Sequence, residues 1–104
     1  MRSPKKSHNV AVGIAWYRAE EWPELLAAAA DREDLEQTHA EWLQGAQRAL
    51  VNFAAQGMAA QKIDVRIAEL IQWCRQQQRP VDAPARSAYA AFKLRQAGQE
   101  LPPG

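Results

Sequence analysis

The stretch QKIDVRI, residues 61–67, decides how this chain folds. Its apolar residues Ile63, Val65 and Ile67 alternate with Lys62, Asp64 and Arg66. A period of two sends alternate side chains to opposite faces of a strand, so the alternation predicts a half-buried β-strand with a helix following from near Ala68. The competing reading starts a helix at Asp64, whose carboxylate would cap it. The strand is preferred because a second segment of the same kind exists to pair with it. In NVAVGIAWY, residues 9–17, Val10, Val12 and Ile14 alternate with small residues and predict a strand over residues 10–16.

Helical signals fill the space between and after these two segments. Pro23 is tolerated only in a first turn, which places a helix start near Glu20 to Trp22. Glu20, Glu21 and Glu24 then lie at the positive end of its dipole. Asp31 and Asp34 read as the cap of a second helix. From Leu35 onward His39, Trp42, Leu43, Ala46, Ala49, Leu50 and Phe53 recur at three- and four-residue steps, and Gly57 is the expected left-handed stop. The third helix turns Leu70, Ile71, Trp73 and Cys74 inward and ends at Arg79 and Pro80, because the residue before proline disfavours helical geometry. Asp82 caps a fourth helix with Pro84 in its first turn, which runs to about Ala97 and stops at Gly98.

The order is therefore strand, helix, helix, strand, helix, helix: an α+β fold, predominantly helical, with a small two-stranded sheet. An all-α bundle is the alternative if residues 61–67 are helical. Parallel pairing would make the first two helices the crossover it requires. So small a sheet leaves edges open, and pairing between copies is a natural remedy, so a homo-oligomer, most simply a homodimer, is expected. Residues 1–9 read as a disordered basic leader, 10–97 as one globular domain and 98–104 as a flexible tail.

Composition narrows the classes of function. The 104 residues suffice for one core, to which four tryptophans contribute large apolar surfaces. A lone cysteine forms no internal disulfide, and with two histidines it makes no closed zinc site, so a reducing, cytoplasmic setting is expected. The apolar run Val10 to Trp16 is at the lower limit for a signal peptide and lacks a cleavage pattern, and no segment approaches a membrane span. The net charge of +1 conceals an asymmetry: +3 over residues 1–13, three arginines against eight acids over 14–57, and seven bases against four acids over 58–104. Such a split suits association of unlike faces or a basic surface for an anionic partner.

The basic side concentrates in WCRQQQRPVDAPARSAY, residues 73–89, and the helix after it. Two helices joined by a short turn resemble a helix-turn-helix in outline, with Arg75, Arg79, Arg86, Lys93 and Arg95 as a candidate anion, nucleic-acid or partner surface. A solvated charged face is the plainer reading of the same residues, since the turn lacks the usual glycine. Cys74 sits at an inward position and reads as a small apolar core residue without a base to activate it. Glu36 and His39 have the spacing of a metal-binding helix pair, but no second pair accompanies them, and His39 reads as a core-edge residue. The three early glutamates are explained by the helix dipole. No phosphate loop, nucleophile elbow or paired-cysteine motif is present, so neither a catalytic residue nor a cofactor or metal is assigned. The sequence reads as a small non-enzymatic protein-interaction or regulatory module, self-associating, with nucleic-acid binding by the last two helices as the alternative.

Overall fold

The computed structural model describes residues 11–100, the side chains of 98–100 excepted. The leader expected at residues 1–9 lies outside them, as do the last four residues of the expected tail. Strand β1 (Ala11–Trp16) is followed by a 3-10 turn (Ala19–Glu21) and helix α1 (Trp22–Ala28). A second 3-10 turn (Arg32–Asp34) leads to α2 (His39–Ala55), strand β2 (Ala59–Asp64), α3 (Ile67–Gln76) and α4 (Ala83–Glu100). The strands pair in parallel, in register from Ala11 opposite Ala59 to Trp16 opposite Asp64. The α+β class and the element order are those expected, with α1 and α2 forming the crossover.

Four boundaries differ from expectation; α3 stops at Gln76, short of Arg79 and Pro80, and those of β2, α2 and α4 shift as well. β2 covers residues 59–64 rather than 61–67, and Ile67 opens α3. The alternation of Ile63, Val65 and Ile67 reports their burial, at 9%, 1% and 0% exposure, which continues past the point where the backbone leaves the sheet. The helix begins where it does because the Glu21 carboxylate, 46 positions earlier, accepts the Ile67 N–H at 2.8 Å. α2 starts at His39 rather than near Leu35. Its cap is Thr38, whose Oγ1 accepts the Glu41 N–H at 3.1 Å. Thr38 and Glu41 have the spacing of a capping box. Finally, α4 continues through Gly98 to Glu100.

Two helices end in the same way with different residues. After α2 the Gly57 N–H donates to the Ala54 carbonyl and the Met58 N–H to that of Phe53, with Gly57 at φ +81°. After α3 the Gln78 N–H donates to Arg75 and the Arg79 N–H to Cys74, with Gln78 at φ +55°. Both are Schellman closures, which need a left-handed residue. Only the second forces a side chain into that conformation. Asp82 caps α4 as expected, its Oδ1 accepting the Ala85 N–H at 3.0 Å.

The core joins α1, α3 and α4 to one end of the sheet: Leu25, Val65, Ile67, Leu70 and Cys74 are fully buried, with Tyr17, Trp22, Ala85, Tyr89 and Ala90 around them. α4 crosses β1 very closely. A Cβ on Gly13 would stand 3.0 Å from the Ala90 carbonyl oxygen and 3.1 Å from Ile63 Cγ1. α2 is covered least, with only Ala46 buried among its 17 residues. Its stripe of Trp42, Leu43, Ala49, Leu50 and Phe53 is half-buried.

Two substitutions test this packing by urea denaturation. Gly13→Ala forces backbone apart at the α4 crossing and is expected to cost about 1–3 kcal/mol. Gln78→Gly relieves the left-handed strain and should stabilise by roughly 0.5–1 kcal/mol after the glycine's larger unfolded-state entropy is subtracted. An unchanged midpoint for Gly13→Ala contradicts the close crossing.

Candidate interaction surface

Three ion pairs hold the elements that shape the surface. Arg86 on α4, only 8% exposed, donates from both terminal nitrogens to Asp31, at 2.9 and 2.8 Å, in a fork-to-fork pair. This pair and the Ala30 N–H bonded to the Val81 carbonyl at 2.8 Å staple the end of α1 to the α3–α4 turn. Tyr17 lies in the same field, and its burial pushes the phenol up to about 12. Glu21 caps α3 through one carboxylate oxygen and takes the Arg66 guanidinium on the other. On the surface Arg18 grips Asp64 through Nε at 3.1 Å and a terminal nitrogen at 2.8 Å. That contact ties the exit of β1 to the exit of β2.

An aromatic cluster fills the corner between β1 and α2. Trp16, Tyr17 and Trp22 each stand 5.1–5.6 Å, centroid to centroid, from Trp42. The His39 ring lies 5.1 Å from the same tryptophan and donates from Nε2 to the Tyr17 carbonyl oxygen at 2.7 Å. His39 is thus a structural pin between the start of α2 and the end of β1.

Beside this cluster runs a groove of about 360 Å³. Its floor is Val12, Gly13, Ile14 and Ala15, four consecutive residues of β1. Alternate side chains of a strand leave by opposite faces, so four consecutive residues share one groove only if it follows the strand's edge. The wall on one side is α2, through Trp42, Ala49 and Phe53; on the other it is the first turns of α4, through Ala83, Arg86 and Ser87. Tyr17 and Leu35 complete the lining. The lining is apolar but for Tyr17, Ser87 and Arg86, and the Arg86 charge is already neutralised by Asp31.

A second, more polar depression of about 370 Å³ lies between α3 and α4, lined by residues including Glu69, Trp73, Gln76, Phe92 and Lys93. The residues singled out on the basic side divide here. Arg75 and Arg95 are exposed. Arg79 stacks over Trp73 with its guanidinium carbon 5.8 Å from the ring centroid, and the Lys93 ammonium stands 5.9 Å from that of Tyr89. Arg86 points the other way, into its pair with Asp31. Neither of these two depressions includes Cys74 or His39. Cys74 is 1% exposed and burial pushes its thiol up. Among the described residues no three His, Cys, Asp or Glu side chains converge to hold a metal ion, and no described helix is long and apolar enough to cross a membrane.

The residues of the groove did not stand out in the sequence as a site, although two signals were there. β1 carries no charged residue and no proline, and α2 has a wide apolar stripe with few partners to cover it. The pairing of Asp31 with Arg86 spans 55 positions and has no local signal. Comparison of the chain with family models, with curated proteins and with solved structures finds no match.

The ion pairs predict both a mutational and a pH response. Asp31→Asn leaves the Arg86 charge buried and unpaired and should cost about 3 kcal/mol, whereas replacing both partners with apolar residues (Asp31→Leu with Arg86→Met) should cost less. The reverse order contradicts the assignment. The Glu21 carboxyl is held below its ordinary 4.5 by the Ile67 N–H and then by Arg66; those of Asp31 and Asp64 are held below 3.8 by the hydrogen bonds from Arg86 and Arg18. Carboxyls depressed in the folded state contribute stability that is present above their unfolded values and lost as pH falls through the folded ones. The urea midpoint should therefore fall with pH below about 4.5, and less steeply in Glu21→Gln.

Proposed function

We propose that the chain is a non-catalytic protein-interaction module whose working surface is the groove along the edge of β1. One observation carries the reading: a strand edge without charge or proline lies in an apolar groove, beside a helix whose apolar stripe the chain itself leaves half-covered. Burying such a stripe in a partner contributes on the order of 25 cal/mol per Å². The floor and walls are fixed by the Gly13 crossing and the Asp31–Arg86 pair, so the groove is pre-formed, which lowers the cost of binding.

An apolar groove admits a second copy or another polypeptide. Sedimentation equilibrium over a wide concentration range, paired with selection from a displayed library of random heptapeptides, separates these. The reading expects self-association or a selected peptide for the wild-type chain, and loss of either in Phe53→Asp with the urea midpoint retained. A chain that stays monomeric and selects no peptide contradicts it, as does binding that Phe53→Asp leaves intact.

Nucleic-acid binding by α3 and α4 draws its support from Arg79 over Trp73, from Lys93 beside Tyr89 and Phe92, and from the exposed Arg75 and Arg95 on the same two helices. A complex with short duplex or single-stranded oligonucleotides that fades as salt rises, and that Arg75→Ala with Arg95→Ala weakens, would establish it in place of the groove reading.

A further inference from the structure

Resting on the groove as the working surface, we infer that it binds an extended polypeptide segment by strand addition, the segment pairing backbone to backbone with the open edge of β1 in a third strand of the sheet. The direction of the β1 backbone carries this. The Val65 N–H donates to the Trp16 carbonyl at 3.1 Å, so Trp16 faces β2, and in the parallel register Ile14 and Val12 do so too. Successive residues turn their peptide groups to opposite edges, which leaves those of Ala11, Gly13 and Ala15 on the other edge, where Gly13 and Ala15 line the groove. Among the described residues no hydrogen bond outside the strand pair reaches them. Backbone donors and acceptors on this floor become costly to leave unpaired once a bound segment shuts out water. A natural edge strand is usually blunted by charge, proline or a bulge; β1 has the sequence AVGIAW and no such device, whereas β2 carries Lys62 and Asp64.

The two walls define the segment's chemistry. Side chains directed to the face of Val12 and Ile14 meet Trp42, Ala49 and Phe53 and are favoured when large and apolar. Those on the face of Gly13 and Ala15 meet Ala83, Ser87 and Arg86 and are favoured when small or able to accept a hydrogen bond, because Arg86 spends only part of its five N–H donors on Asp31. The segment is uncharged, matching a groove whose one ion pair is internally balanced. β1 of a second copy, paired antiparallel about Gly13, does not fit. Antiparallel pairing of two β1 strands about Gly13 would bring their α4 helices, each lying across that residue, to within about one strand spacing of 4.8 Å on the same face of the sheet. Packed helices need about 8–10 Å. A tail or loop of another polypeptide, with no helix of its own over the strand, fits.

The test uses the ¹⁵N-labelled full chain and the heptapeptide that display selects, synthesised with acetylated and amidated ends. Amide exchange is followed by NMR residue by residue. Strand addition predicts that saturating peptide slows exchange at those of Ala11, Gly13 and Ala15 that donate to it, by at least about tenfold, while Val12, Ile14 and Trp16 change little. N-methylation of alternate peptide residues on the β1-facing edge should weaken binding by about tenfold per hydrogen bond lost, and methylation of the intervening residues should not. A peptide that binds with no added protection in β1 overturns strand addition while leaving the groove in place. Selection of no peptide overturns strand addition, and a chain that in addition stays monomeric overturns the groove as well.

Discussion

Everything in this molecule is arranged around a parallel pair of strands only six residues long. A parallel pair cannot be closed by a hairpin, so the chain must travel the length of the sheet before it can return. The segment from Tyr17 to Met58 makes that journey and contains α1 and α2. The pair is also too small to hold itself together in water. It is stabilised on one face by α4, which approaches so closely that a side chain at position 13 would have to push the helix back, and at its end by the Arg18–Asp64 contact. Among the described residues, the same economy leaves the other edge of β1 without a neighbouring strand.

Distant carboxylates do the work that local signals do elsewhere. Glu21 starts α3 from across the sheet, and Asp31 holds α4 through Arg86. Each spans some 45 to 55 positions, so each is a statement about tertiary structure made by one side chain. Their removal is predicted to loosen the walls of the groove together with the fold, because the residues that position α4 are the residues that shape the surface.

Much of the architecture was legible in the sequence, and the places where it was not have physical causes. The strand at β1, the proline-marked start of α1, the Gly57 stop and the Asp82 cap are local features, and local features can be read. Alternation overstates the extent of β2 because it measures burial, and Val65 and Ile67 stay buried after the backbone turns into a helix started by Glu21. Asp31 and Asp34 resemble caps and suggest too early a start for α2, whose cap is Thr38. The candidate site was legible only as a class. An open strand edge was anticipated from the two-stranded sheet, but which edge, and that α2 and α4 wall it into a groove, depend on how helices lie over strands. Arg86 resembles its exposed neighbours in sequence because nothing near it shows that Asp31 reaches it.

The central claim is that β1 gives one edge to β2 and keeps the other open. Residue-resolved amide exchange across Ala11 to Trp16 in the isolated chain tests it most directly. The account predicts an alternation, with Val12, Ile14 and Trp16 protected and Ala11, Gly13 and Ala15 exchanging at close to the rate of an unstructured peptide. Uniform protection would mean that the edge is already covered, and uniform lability would mean that the strand pair does not form; either would contradict it.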